Sequence, residues 1–364
     1  MGTPNIKFSR NDSAKFFRTL NRRVNNYFKD NNLEKSGNWK LHFKSFCMFA
    51  IFLTPYFLLL TVDLPGWAQI LLTIVMGIGM AGVGMNVMHD ANHGSYSKKK
   101  WVNKVLGSSI YILAGNVYNW QVQHNVLHHT YTNIHGLDDD IDAGIIIRFN
   151  EHAEWRWFHK FQQYYFVILY GLLTFNWALV SDYKQTKRYL SRKLGYGEMP
   201  KPARQWSILV ITKIIYLIVW IVIPLLVLDI AWWKVILGFF IMHYTAGLIL
   251  SIIFQLAHVV ESSDMPLPDE SGNMKNTWAI HQLFTTVNFA RNNWLINWYS
   301  GGLNHQVEHH IFPHISHIHY QGISKIVKET ALEFELPYLE YKTTRKAILS
   351  HVRHLRKMGM QPAV

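Results

Sequence analysis

Imidazole side chains recur in this sequence at helical spacing. His89 and His93 stand four residues apart in "HDANH", and His124 and His128 do the same in "HNVLHH", with His129 beside them. Gln306, His309 and His310 fall at i, i+3 and i+4 in "QVEHH", His305 precedes that group, and His258 closes the run "FQLAH". Residues four apart on a helix share a face about one turn from each other, so each group would present its imidazoles together. A histidine taken singly is most often hydrogen-bonded or solvated, and that reading stands for His42, His152, His159, His243, His351 and His354. It does not account for eight histidines returning in spaced clusters. Metal ligation does.

Imidazole suits zinc, copper, iron and nickel, so donor softness leaves the metal open. Number narrows it. Eight or nine nitrogen ligands exceed what one tetrahedral zinc takes and suit two metals of higher coordination. Neither the HExxH zinc motif nor the ExxH pattern of soluble carboxylate di-iron bundles is present. Two irons held almost wholly by histidine remain, with room for molecular oxygen between them. Such a centre would attack bonds that no side-chain acid, base or nucleophile can open. The lone Cys47 excludes an internal disulfide framework and any CxxC site.

The elements that must hold these groups are apolar helices. Runs at about 47–62, 67–88, 206–228 and 231–257 are each near or above the roughly 17 residues of a bilayer crossing. The turns "DLPG" and "LDIA" would join them as two hairpins. A hydrophobic content of 49% would not reveal this, being ordinary for soluble proteins. The formal charge of +13 suits nucleic acid or an anionic lipid surface equally, so its distribution decides. Ten Lys or Arg precede or include Lys44, Lys98, Lys99, Lys100 and Lys104 follow the second run, and the tail after Tyr320 is basic, whereas neither turn carries one. The positive-inside rule then makes both termini and the middle segment cytoplasmic and sets nucleic acid aside. The polar, basic N-terminus has no apolar core and is not a cleaved signal peptide.

Parity constrains the remaining apolar runs. If residues 105–118 or 161–180 crossed the bilayer alone, the histidine groups would fall on opposite sides; both are therefore expected to be helices lying at the interface. "GIGMAG", from Gly77 to Gly82, matches a dinucleotide fingerprint but sits inside an apolar run with no preceding strand, and is read as close helix packing. Asp138, Asp139, Asp140 and Asp142 are either a solvated loop or hydrogen-bond partners of ligand imidazoles. His135, His281, His314, His317 and His319 lie near the clusters and could orient ligands.

The boxes "HDANH", "HNVLHH" and "QVEHH", with the flanks "HHTYTNIHGLDDDID" and "GGLNHQVEHHIFPHISHIHY", resemble those of membrane-bound fatty acid desaturases, in the acyl-lipid, linoleoyl-CoA and front-end branch. The resemblance runs from the first apolar run to Tyr320. It implies an all-α integral membrane protein, with four transmembrane helices as two hairpins, a cytoplasmic helical cap and interfacial helices. A desaturase domain over residues 45–320 would lie between a basic segment, 1–44, and a helical tail, 321–364. Two iron ions would be held by His89, His93, His124, His128, His129, His258, His309 and His310. Gln306 takes the position where many relatives have histidine, and either Gln306 or His305 would complete the set. The implied reaction introduces a cis double bond into an acyl-CoA or acyl-lipid chain, with O2 as oxidant. No HPGG haem motif occurs, so a separate ferredoxin or cytochrome b5 type donor is expected. A di-iron hydroxylase and a membrane metal transporter are the competing readings.

Overall fold

A computed structural model describes residues 6–10 and 13–360. It is predominantly helical, and its chain separates into two compact units. One comprises the described parts of Met1–Asn38, Gln123–Phe166 and Ile253–Val364; the other comprises Trp39–Val122 and Val167–Ile252.

Among the described residues four helices are long and apolar enough to cross a membrane: Trp39–Thr61, Gly66–Asn92, Pro202–Val227 and Trp232–His258. These are the four expected runs. The first begins at Trp39 rather than near 47, because the polar turn containing Lys40, His42 and Lys44 continues the helix without adding hydropathy. Residues 105–118 do not form a span: the Lys100–Gly107 helix tightens into a turn over Ser108–Leu113 and ends at Ala114, whose φ of 68° no helix continues. Residues 161–180 belong to a helix pair, Trp157–Gly171 and Leu173–Ser191, bent by 59°. Gly171 sits at that bend because a Cβ there would lie 2.2 Å from the ring of Tyr244.

The glycines of "GIGMAG" do pack helices. A Cβ on Gly77 would come within 2.6 Å of Met242 and Thr245 in the fourth candidate span, and one on Gly79 within 2.4 Å of the Phe52 backbone in the first. The second candidate span is thereby wedged against two others, as small residues allow. In the same unit Lys213 pairs with Asp182 at 2.6 Å; both side chains are buried. Asp182 also accepts from Asn119 Nδ2 at 3.1 Å, which ties this pair to the helix leading into the second histidine box.

In the other unit Phe16, Leu20, Val24 and Phe28 recur every four residues along the helix Ser13–Asp30 and bury one stripe. That stripe packs on Leu283, Val307, Ile311 and Phe312, so residues preceding Lys44 help build the core beneath the third box. Two parallel ladders of two residues each pin the ends: Lys7–Phe8 on Asn273–Met274, and Asn288–Phe289 on Glu340–Tyr341.

The tail helix Thr344–Met360 is fastened by buried imidazoles: His351 Nδ1 donates to the Val259 carbonyl at 2.6 Å and His354 Nε2 to the Phe149 carbonyl at 2.7 Å. Burial, reinforced by His354, pulls His351 down to about 4, and burial likewise lowers His354. Both fold in the neutral form, so their contribution is complete above the ordinary histidine range near 6.5 and is lost as pH falls toward 4. Over that window the unfolded tail binds more protons, and each histidine should weaken docking by up to about 1.4 kcal/mol per pH unit. Hydrogen exchange of 344–360 is expected to accelerate between pH 6.5 and 4.5, and in His351→Gln the acceleration should shrink to the share that His354 supplies. Exchange independent of pH, after correction for intrinsic rates, contradicts this.

Candidate metal centre

The second box lies on a helix capped by Asn116, whose side chain accepts from Asn119 N at 3.1 Å. Over Gln121–His128 the turns widen to an i→i+5 pattern before closing again at His129–Tyr131. Such widening places residues four and five apart on either side of one line, and it is frequent at functional sites. The His124 ring accordingly meets both His128, at 5.1 Å between centroids, and His129, at 4.9 Å.

The third box is the short helix Gln306–Ile311. Its start is held by Asn288 Oδ1, which accepts from Val307 N at 3.0 Å. The buried Glu308, just before its two histidines, accepts from Tyr338 at 2.7 Å and Asn288 Nδ2 at 2.9 Å, turning His309 and His310 to the other side. Gly302 makes the approach possible: its φ is +73°, and a Cβ there would lie 2.7 Å from His317.

Together these elements gather nitrogen donors. One donor each from His128, His258 and His310 lie within 4.8 Å of one another, and so do donors from His129, His309 and His310. His129 Nε2 and His309 Nε2 are 3.1 Å apart. The imidazoles are oriented from behind through Nδ1. Asp140 holds His124 at 2.7 Å, Asp138 holds His128 at 2.9 Å, Tyr320 holds His309 at 3.1 Å and Gln282 holds His310 at 2.8 Å. His258 Nδ1 meets the Thr285 carbonyl at 3.3 Å. The acceptor oxygens at Nδ1 of His124, His128, His310 and His258 fix those tautomers so that Nε2 faces the cluster, the usual support of metal-bound histidine. Burial would lower His128, but Asp138 and Asp140 outweigh it and hold the imidazole above its ordinary value.

The donor set fits a metal. His128 Nε2 and Gln306 Oε1 are buried and meet no hydrogen-bond partner among the described residues. A polar atom so placed is costly unless something binds it. Gln306 Nε2 lies 2.8 Å from His258 Nε2, so the amide is on the cluster side. His305 caps the helix start; its Nδ1 lies 3.8 Å from Glu308, on the supporting side. In the other unit His89 and His93 meet edge to face at 4.6 Å between ring centroids, and both rings contact Trp120.

Of the aspartates, Asp138 and Asp140 bind imidazoles, whereas Asp142 accepts from Gly144 N in an exposed turn. Gln282, Tyr320 and Thr132 escaped the sequence reading. Gln282 Oε1 accepts from both Thr132 and His310, at 2.9 and 2.8 Å, so one amide supports two boxes. His281 contributes indirectly: burial lowers it to about 4, and the neutral ring donates to the Thr132 carbonyl at 2.8 Å. His42, His152, His159, His243, His351 and His354 make ordinary hydrogen bonds to Tyr96, Thr174 or backbone carbonyls.

Comparison with known proteins agrees with this chemistry. The fatty acid desaturase family profile matches residues 65–342. The sn-1 linoleoyl-lipid 6-desaturase of Arthrospira platensis is 36% identical over 354 residues, covering 96% of this chain and 94% of that protein. The sn-1 linoleoyl-lipid 6-desaturase of Synechocystis sp. is 36% identical over 97% of this chain and 98% of its own length. The acyl-lipid (8-3)-desaturase of Physcomitrium patens is 30% identical over 98% of this chain and 74% of its own. With the family matched over most of the chain and the second and third boxes supported from behind by their own hydrogen-bond partners, this protein belongs to the fatty acid desaturases, in their acyl-lipid and front-end branch.

Proposed function

We propose that the protein desaturates an acyl-lipid, of the sn-1 linoleoyl-lipid kind, at position 6 of the acyl chain. The observation that carries the site is the convergence of His128, His258 and His310, and of His129, His309 and His310, with Nδ1 partners behind them. The regiochemistry rests on the two relatives that match nearly end to end at 36% identity. Expression in a host rich in linoleoyl lipids, followed by location of the new double bond by mass spectrometry, tests it. A product unsaturated at another position overturns the regiochemistry, and a hydroxylated product overturns the reaction.

The metals are proposed to be two irons, held by His89, His93, His124, His128, His129, His258, His309 and His310. When bound, they would supply the oxidising power, drawn from O2, that removes hydrogens from unactivated methylenes. The chain's own share is to fix ligand orientation through Asp138, Asp140, Gln282 and Tyr320, and to exclude water from a buried cluster. Electrons would come from a separate ferredoxin or cytochrome b5 type carrier.

The catalytic domain is taken as residues 45–320, with cytoplasmic flanks at 1–44 and 321–364 and the four candidate spans paired as hairpins. Trp101, Val105, Trp157 and Tyr164 are at least half exposed, which suits interfacial anchoring of the two non-spanning helices.

The third box poses a choice between Gln306 and His305. The Gln306 amide faces His258, whereas His305 lies beside Glu308. Gln306→Ala is therefore expected to cut turnover by roughly 10–100-fold, the range for lost support at a metal site. His305→Ala should keep its iron and most of its activity. Iron content and product yield in both variants decide; loss of iron in His305→Ala with mild loss in Gln306→Ala reverses the assignment.

A further inference from the structure

The helix Ser13–Asp30 is apolar on the stripe that packs inward and basic elsewhere. Its Arg23 is used structurally, bonding Thr330 at 2.9 Å and Glu333 at 2.7 Å. Arg18 and Arg22, one turn apart, point elsewhere. With Arg10 they line an open cleft of about 830 Å³ beside Trp278, and no acidic residue is among its described lining. All three arginines are exposed. Three cations with no counter-charge among the described lining of one cleft form a patch that attracts an anionic partner.

The floor of the cleft leads to the histidines. Phe17 and Trp278 line it, their rings edge to face at 6.0 Å between centroids. The Trp278 indole N–H donates to the carbonyl of His129 at 2.8 Å. One half-buried aromatic thus touches the cleft on one side and the backbone of a cluster histidine on the other.

We infer that this cleft receives a small acidic one-electron carrier protein, and that electrons pass from it through Trp278 and the His129 backbone to the metal centre. The inference rests on the oxygen-dependent reading above. Desaturation removes two hydrogens, with two electrons and two protons, from the acyl chain. Reduction of O2 to two waters takes four of each, so two electrons must come from the carrier and two protons from solvent. A one-electron carrier therefore docks and leaves twice per turnover, which favours a steered, salt-sensitive encounter over a tight complex. An anionic lipid headgroup shares the charge, but it has no use for an aromatic path to His129.

The test uses the full-length iron-loaded enzyme in nanodiscs, with an acidic [2Fe–2S] ferredoxin or cytochrome b5 kept reduced by its reductase. The parent enzyme, reduced chemically with dithionite and mixed with O2, should form product in a single turnover without any carrier; if it does not, the function proposed above fails, whatever the cleft does. Given that turnover, Arg18→Glu/Arg22→Glu is expected to raise the carrier KM at least about tenfold at low salt, with little change in kcat. Asn26→Lys, which adds a cation to the same cleft, should lower KM, an improvement that misfolding cannot imitate. For Trp278→Phe, the rate of carrier-driven reduction divided by that of dithionite-driven reduction should fall. A carrier KM unmoved by both charge changes overturns the docking site, and so does failure of both carriers to support turnover. An unchanged ratio in Trp278→Phe overturns the route. If charge reversal instead abolishes binding to phosphatidylglycerol vesicles and leaves the carrier KM alone, the cleft is a lipid site and the inference is wrong.

Discussion

Replacing His310 with alanine is expected to strip bound metal from the desaturase and stop product formation while the chain still inserts in the membrane. His310 is shared by the two histidine triads within this unit, one with His128 and His258 and the other with His129 and His309. No neighbour can substitute. The Gln282 amide that supports His310 already accepts from Thr132, and an alanine would leave that amide facing an empty position. The loss should exceed the roughly 100-fold that removal of an outer partner costs a metal site. His309→Ala, which spares the triad of His128, His258 and His310, should also abolish desaturation while retaining more metal than His310→Ala. Metal content by elemental mass spectrometry and fatty acid analysis of the host lipids check both. Parent-like metal content in His310→Ala would sink the assignment.

The second large effect lies away from the histidines. Lys213→Met is expected to destabilise the protein by about 3–5 kcal/mol, because it leaves Asp182 charged and buried without its partner. Lys213 is well satisfied in the parent: it pairs with Asp182 at 2.6 Å and donates to the carbonyls of Trp177, at 2.9 Å, and Ala114. The Ala114 contact fastens the end of the turn that follows the Lys100–Gly107 helix. Asp182 also holds Asn119, so the damage should spread to the helix that carries the second box. Substituting both members, as Lys213→Met/Asp182→Leu, removes the orphaned charge and should recover a large part of the loss. Thermal unfolding in detergent reads this directly. A single variant that melts with the parent, or a double variant worse than the single, contradicts it.

Much of the fold was legible because two signals are local. Apolar length marked the four candidate spans, and the glycines in "GIGMAG" marked helix packing, since both depend on residues adjacent in the chain. The histidine boxes were legible for the same reason: spacing of three or four defines a helix face. Locality also set the limits of that reading. Lys213 lies singly in an apolar run, and Asp182 reads as an ordinary helix-start acid; nothing near either residue signals their pairing. The first candidate span could not be bounded by hydropathy, because a helix does not end where its side chains become polar.

The sequence by itself determined where the spaced imidazoles and the apolar helices lie and to which family the chain belongs, for these follow from residue type and short-range period. Tertiary structure decided how the imidazoles are held. The second box takes a widened turn that brings His128 and His129 both against His124, although spacing alone assigns a face only to the first. Gln282 supports His310 and Thr132 across 28 and 150 positions, and Tyr320 and Thr285 support His309 and His258. The physical reason is that a hydrogen bond needs atoms within about 3 Å at a favourable angle, and such placement between distant segments is set by the packing of whole helices rather than by any pattern along one of them.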